Sequence, residues 1–146
     1  MKKSLIISFF ILILSAISHA QDARMEAVGF LGGENLYYLY TSIGLLADSY
    51  YGGIYGADFA KQMTGYMTIS AMKSKETFRK ISEGGTLSPG DRELASSIMD
   101  CYDMLVNEAD AFQSSLEVTN KQTRDTFKIY KGKAWAKIRL IWKSPD

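Results

Sequence analysis

Apolar positions recur along this chain with the period of a helix. Leu36, Leu39, Ile43, Leu46 and Tyr50 are spaced by three and four residues. At about 100° per residue that sets them on one side of a helix, and Tyr40, Ala47 and Tyr51 widen the stripe. The pattern predicts a first helix over 34–51. A second, over 57–83, is predicted to turn Phe59, Met63, Tyr66, Ser70, Ser74, Thr77 and Ile81 inward, flanked by Ala60, Met67 and Phe78. A third follows with Leu94, Ile98, Cys101, Leu105, Phe112 and Leu116, and a fourth, over 121–142, with Phe127, Tyr130, Ala134, Ile138 and Ile141.

Glycine clusters at 52–56 and 84–90 break the runs, and Thr119-Asn120 makes a softer break. Ser88, Pro89 and Asp91 form an N-terminal signature, with a cap, a first-turn proline and an acid three residues after the cap. Four amphipathic helices joined by short connections predict an all-α fold, an antiparallel up-down-up-down four-helix bundle. One domain over 21–146 accounts for the length.

The first twenty residues have a different organisation. Lys2 and Lys3 precede an apolar run over 5–17, and Ser18-His19-Ala20 closes it with small residues at its first and third places. This is the layout of a secretory signal peptide. The run falls short of the roughly 20 residues that span a bilayer, although an uncleaved anchor is the alternative. Cleavage is expected after Ala20, with the product periplasmic or secreted from a bacterium. It would touch a membrane only through the signal peptide before cleavage.

Composition narrows the chemistry. His19 is the only histidine and falls in the segment expected to be removed. Ser-His-Asp triads, Cys-His pairs, histidine-bearing metal sites and haem ligation are then excluded from the product. A single Cys rules out an internal disulfide framework and a Cys-based zinc site. No phosphate-binding glycine loop occurs, so neither cofactor nor metal is expected. Paired carboxylates are the remaining catalytic option, with little to support them.

Charge is segregated. Residues 88–118 carry seven acids and one base, and residues 119–143 carry eight bases and one acid. The third and fourth helices should therefore pack side by side, although each exposed ion pair contributes only about 0–1 kcal/mol. Removing residues 1–20 turns the net charge from +1 to −1, because Lys2 and Lys3 leave with them.

Several features are candidates for function. Arg124, Lys128, Lys131, Trp135, Arg139 and Trp142 fall within one arc of about 80° on the fourth helix. Bases interleaved with tryptophan suit an anionic surface or an acidic protein; nucleic acid is not expected in that compartment. The plainer reading is that these bases answer the third helix and the rings cover a bundle edge. Tyr38 and Leu45 make the first helix apolar on a second side, which suits ordinary packing, a partner or a homodimer.

Tyr40, Ser70, Ser74 and Thr77 would line an interior pocket for a small ligand, or the hydroxyls would bond their own backbone. Cys101 reads as a small core residue, with a redox thiol or intermolecular disulfide as the sharper option. Met63, Met67, Met72, Met99 and Met104 read as core filling rather than thioether copper ligands. Glu108 reads as an ion-pairing residue at the stripe's edge, with a buried, shifted carboxylate as the rarer alternative. The leading expectation is an exported, non-enzymatic interaction protein of immunity, inhibitor or adaptor type. The alternative is a periplasmic bundle that senses or carries a small ligand.

Overall fold

The structure is a computed structural model that describes residues 28–29, 31–85 and 87–141. The chain divides into two compact units, 1–31 and 32–146. Of the first, residues 28, 29 and 31 are described, and all three are helical. The expected signal peptide lies outside the described residues, as does Trp142. In the second unit α1 covers 32–51, α2 Ala57–Glu83, α3 Pro89–Glu117 and α4 Lys121–Ile141. Among the described residues there is no strand, and those of the second unit form four helices.

The helix ends follow local chemistry. Gly53, at φ +76°, closes α1: its N–H donates to the carbonyl of Tyr50, and the Ile54 N–H donates to that of Ser49. This pairing satisfies carbonyls that the helix end leaves open, and it uses a left-handed residue that glycine adopts without strain. The Ser88 hydroxyl accepts from the Asp91 N–H at 3.1 Å, with Pro89 in the first turn of α3. Asn120 caps α4, its side-chain oxygen accepting from the Thr123 N–H at 2.9 Å.

α3 carries the centre of the core. Ile98, Cys101, Tyr102, Leu105, Ala109 and Phe112 are all buried. The buried apolar set of the other helices includes Leu36, Ile43 and Ala47 of α1, Ala71 and Phe78 of α2, and Phe127, Ala134 and Ile138 of α4. Two polar ties cross this set. The Asn35 side-chain amide donates to Ser74 Oγ at 3.0 Å and to Tyr102 Oη at 2.9 Å, joining α1, α2 and α3. Farther along, the Tyr51 and Ser115 hydroxyls share a bond of 2.6 Å between α1 and α3.

The inward face of α2 differs from the sequence expectation by about one residue. Ala60, Thr64, Ala71 and Phe78 are buried, whereas Phe59 and Tyr66 are exposed. Small side chains let α2 lie close to its neighbours, and the Thr64 hydroxyl is satisfied by donating to the Ala60 carbonyl at 2.7 Å. Ala60 and Phe78, expected at the flank of the stripe, are thus at its centre.

α3 and α4 do pack against each other, as their opposite charges predict, but few ion pairs join them. Among the described residues one ion pair joins α3 to α4, Asp100 to Lys137 at 3.0 Å. Other acids of α3 face α2 instead: Asp103 pairs with Lys75 at 2.7 Å and Glu117 with Lys61 at 3.3 Å. These pairs are solvent-exposed, so they adjust the packing of the helices and do not drive it.

Two glycines make opposite predictions. A methyl group at position 32 would run into the buried ring of Phe78. Overpacking of that kind costs about 1–3 kcal/mol, more than the helix propensity that alanine adds. A methyl group at position 65 meets nothing within 4 Å, and its helix propensity should stabilise by about 0.5–1 kcal/mol. Denaturant midpoints should therefore fall for Gly32→Ala and rise for Gly65→Ala.

Candidate functional site

Burial of Phe127, Ala134 and Ile138 fixes how α4 is turned. Trp135 is thereby set on the flank facing α1. Its ring stacks on Tyr40, with centroids 5.4 Å apart and planes 21° from parallel. Tyr37 lies 6.4 Å from Trp135, and Tyr38 lies 6.4 Å from Tyr37. Tyr38, expected on a face of its own, thus belongs to the same aromatic cluster as Trp135. Tyr37, Tyr38 and Trp135 remain at least two-fifths exposed. Leu45 is exposed two turns farther along α1.

The bases of the arc have unequal roles. Lys128 and Arg139 are exposed. Arg124 lies 4.6 Å from the centroid of the Tyr51 ring, a cation–π contact that holds it against α1. Lys131 is the least exposed of them. Its ammonium reaches across α1 at Gly44, where a β-carbon would stand 2.8 Å from Nζ. It comes to 4.0 Å from Asp48.

The hydroxyl set is not gathered in one place. Tyr40 faces Trp135 on α4. Ser74 accepts from Asn35, and Thr77 is exposed and donates to the Lys73 carbonyl at 3.0 Å. Ser70 is half-buried.

Glu108 departs most from expectation. It is not an edge residue: its exposure is 0%, and neither carboxylate oxygen has a hydrogen-bond partner among the described residues. Burial pushes its pKa up to about 8, against a smaller downward pull from Lys131. The phenol of Tyr40 is raised in turn, first by its own burial and then by Glu108. The chain did carry the signal. Cys101, Leu105, Glu108 and Phe112 are spaced four, three and four, as are Phe127, Lys131, Ala134 and Ile138. One acid and one base occupy core positions of adjacent helices.

Cys101 is buried, as expected of a core residue. It contributes to the wall of a groove of about 370 Å³ bounded by Glu93, Leu94, Ser97, Lys137 and Leu140. Burial pushes its thiol up to about 11, although Lys137 pulls the other way. Lys137 is engaged with Asp100, so it does little to activate the sulfur.

Among the described residues no helix is long and apolar enough to cross a membrane. Nor is any group of three or more His, Cys, Asp or Glu side chains placed to hold a metal ion. Comparison with protein-family models, curated proteins and solved structures gave no match for the chain.

Two outcomes follow from these environments. Glu108 holds its proton to about pH 8 in the folded state, whereas the usual carboxylate value is 4.5. The folded chain therefore binds a proton that the unfolded chain releases, and stability falls as pH rises from 4.5 to about 8. Glu108→Gln should flatten that slope and raise stability at pH 8 by up to about 4 kcal/mol, read by urea unfolding at several pH values. Native Cys101 should react with a neutral-pH thiol reagent far more slowly than the urea-unfolded chain; equal rates would mean an accessible sulfur.

Proposed function

We propose that the chain is an exported, non-enzymatic interaction protein of the bacterial envelope that binds an acidic partner protein across the α1–α4 flank. In this reading the signal peptide leaves after Ala20 and the product is an antiparallel up-down-up-down bundle. The order of the contacts supports that topology: Lys61–Glu117 and Lys75–Asp103 between α2 and α3, and Tyr40–Trp135 and Asp48–Lys131 between α1 and α4. In both sets one number rises as the other falls.

The observation that carries the functional reading is the aromatic cluster Tyr38–Tyr37–Trp135–Tyr40, continuous across two helices and flanked by Lys128 and Arg139. Exposed aromatic rings supply large contact area at little entropic cost, and flanking bases steer an acidic surface toward them. The non-enzymatic part rests on the product's lack of imidazole. The small-ligand alternative has less support, since Tyr40 and Thr77 face away from Ser74.

Affinity capture from native envelope tests the surface, with bound proteins identified by mass spectrometry. Trp135→Ala and the double variant Lys128→Glu, Arg139→Glu should each lose the captured acidic protein while retaining helical circular dichroism. Capture undiminished in both variants would overturn the reading. Loss of that protein together with binding to anionic lipid vesicles by the wild type alone would reassign the flank to a lipid surface.

A further inference from the structure

The interior of the second unit contains a mismatch that the partner surface does not explain. Glu108 is a fully buried carboxyl group with no hydrogen-bond partner among the described residues. Lys131, the cation that acts on it, is turned toward Asp48 instead, at 4.0 Å. A buried carboxyl group of this kind is tolerated while it is neutral and is costly once ionised. The cost falls if the nearest cation comes inward.

Lys131 stands at the seam from which such a movement would start. Lys131 occupies a core-spaced position on α4 and is only partly exposed. Gly44 presents no side chain where the ammonium crosses α1, and Nζ occupies the space that a β-carbon there would take. Trp135 stands one turn beyond Lys131 on α4, and Tyr40 one turn before Gly44 on α1. Residues four apart on a helix are surface neighbours. The rings of the proposed partner surface are therefore neighbours of the moving charge.

We propose that Glu108 and Lys131 form a proton-operated latch. When Glu108 is neutral, Lys131 lies over Gly44 and faces Asp48. When Glu108 gives its proton to solvent, Lys131 leaves Asp48 and turns in to pair with the carboxylate, altering the Tyr40–Trp135 seam. The groups that face Glu108 can be named helix by helix. From α4 comes Lys131, which favours ionisation. From α1 comes the Tyr40 phenol, with Tyr37 acting on Tyr40, while Asp48 competes for Lys131. No charged group of α2 is among those acting on Glu108. The balance of burial over Lys131 sets the transition near pH 8. As regulation of the partner surface, the latch rests on the function proposed above; as a movement of Lys131, it does not.

The test needs no partner. Trp142→Phe in the full chain leaves Trp135 as the only tryptophan, since the chain has two. Its emission, followed from pH 6 to 9.5, should show a single-proton transition near pH 8 with unchanged helical circular dichroism. The transition should vanish in Glu108→Gln and in Glu108→Met, so that failure of one variant to fold leaves the other. Lys131→Met should move the midpoint upward, because it removes the charge that favours ionisation. A flat wild-type profile overturns the latch, as does a transition that survives both Glu108 substitutions or a midpoint that Lys131→Met leaves in place. A transition with this behaviour in a protein whose capture ignores Trp135 would retain the latch and discard the partner surface.

Discussion

The arrangement of α1, α2 and α3 depends on the side-chain amide of Asn35. Apolar stripes bring helices together but tolerate rotation and sliding. A half-buried donor held between two acceptors does not. Asn35 gives its two N–H groups to Ser74 on α2 and Tyr102 on α3. Satisfying both fixes where the three helices stand along one another. It also provides a donor to the Tyr102 phenol, which lies deep in the core beside the Ser74 hydroxyl. The Tyr51–Ser115 bond repeats the device toward the far end of α1 and α3. Between the two ties the buried polar side chains are Thr64, whose hydroxyl bonds its own helix, and Glu108.

That division explains which readings of the chain succeeded. The helices, their breaks and the cap of α3 are legible because they depend on local chemistry: stripe spacing, a serine and a proline at 88 and 89, glycine clusters at 52–56 and 84–90; the asparagine that caps α4 reads from the sequence only as part of a soft break. The phase of α2 is not legible, because it depends on contact. Phe59 and Tyr66 are the larger apolar residues, yet Ala60, Thr64 and Ala71 face inward. Ser74 stands as a hydroxyl in an apolar stripe, which by itself suggests a pocket. Its partner, Asn35, lies 39 residues earlier on another helix, and no local pattern joins the two.

The candidate site shows the same limit from the other side. Trp135, Lys128 and Arg139 could be grouped by helical arithmetic, because they share one helix. Tyr38 could not be joined to them, because the link runs through Tyr37 and across the seam. Glu108 and Lys131 were readable in principle. Each occupies a regular place in its stripe, and the natural bias toward setting charges at the margin hid both. A charge that keeps perfect core spacing is better taken as a core residue until packing says otherwise.

The bare surface of α1 at Gly44 has a consequence for how such a chain can diverge. Any side chain at 44 would displace the ammonium of residue 131, the one cation that favours ionisation of the acid at 108. Positions 44, 108 and 131 should therefore drift as a trio: descendants that acquire a bulkier residue at the first are expected to change at the other two.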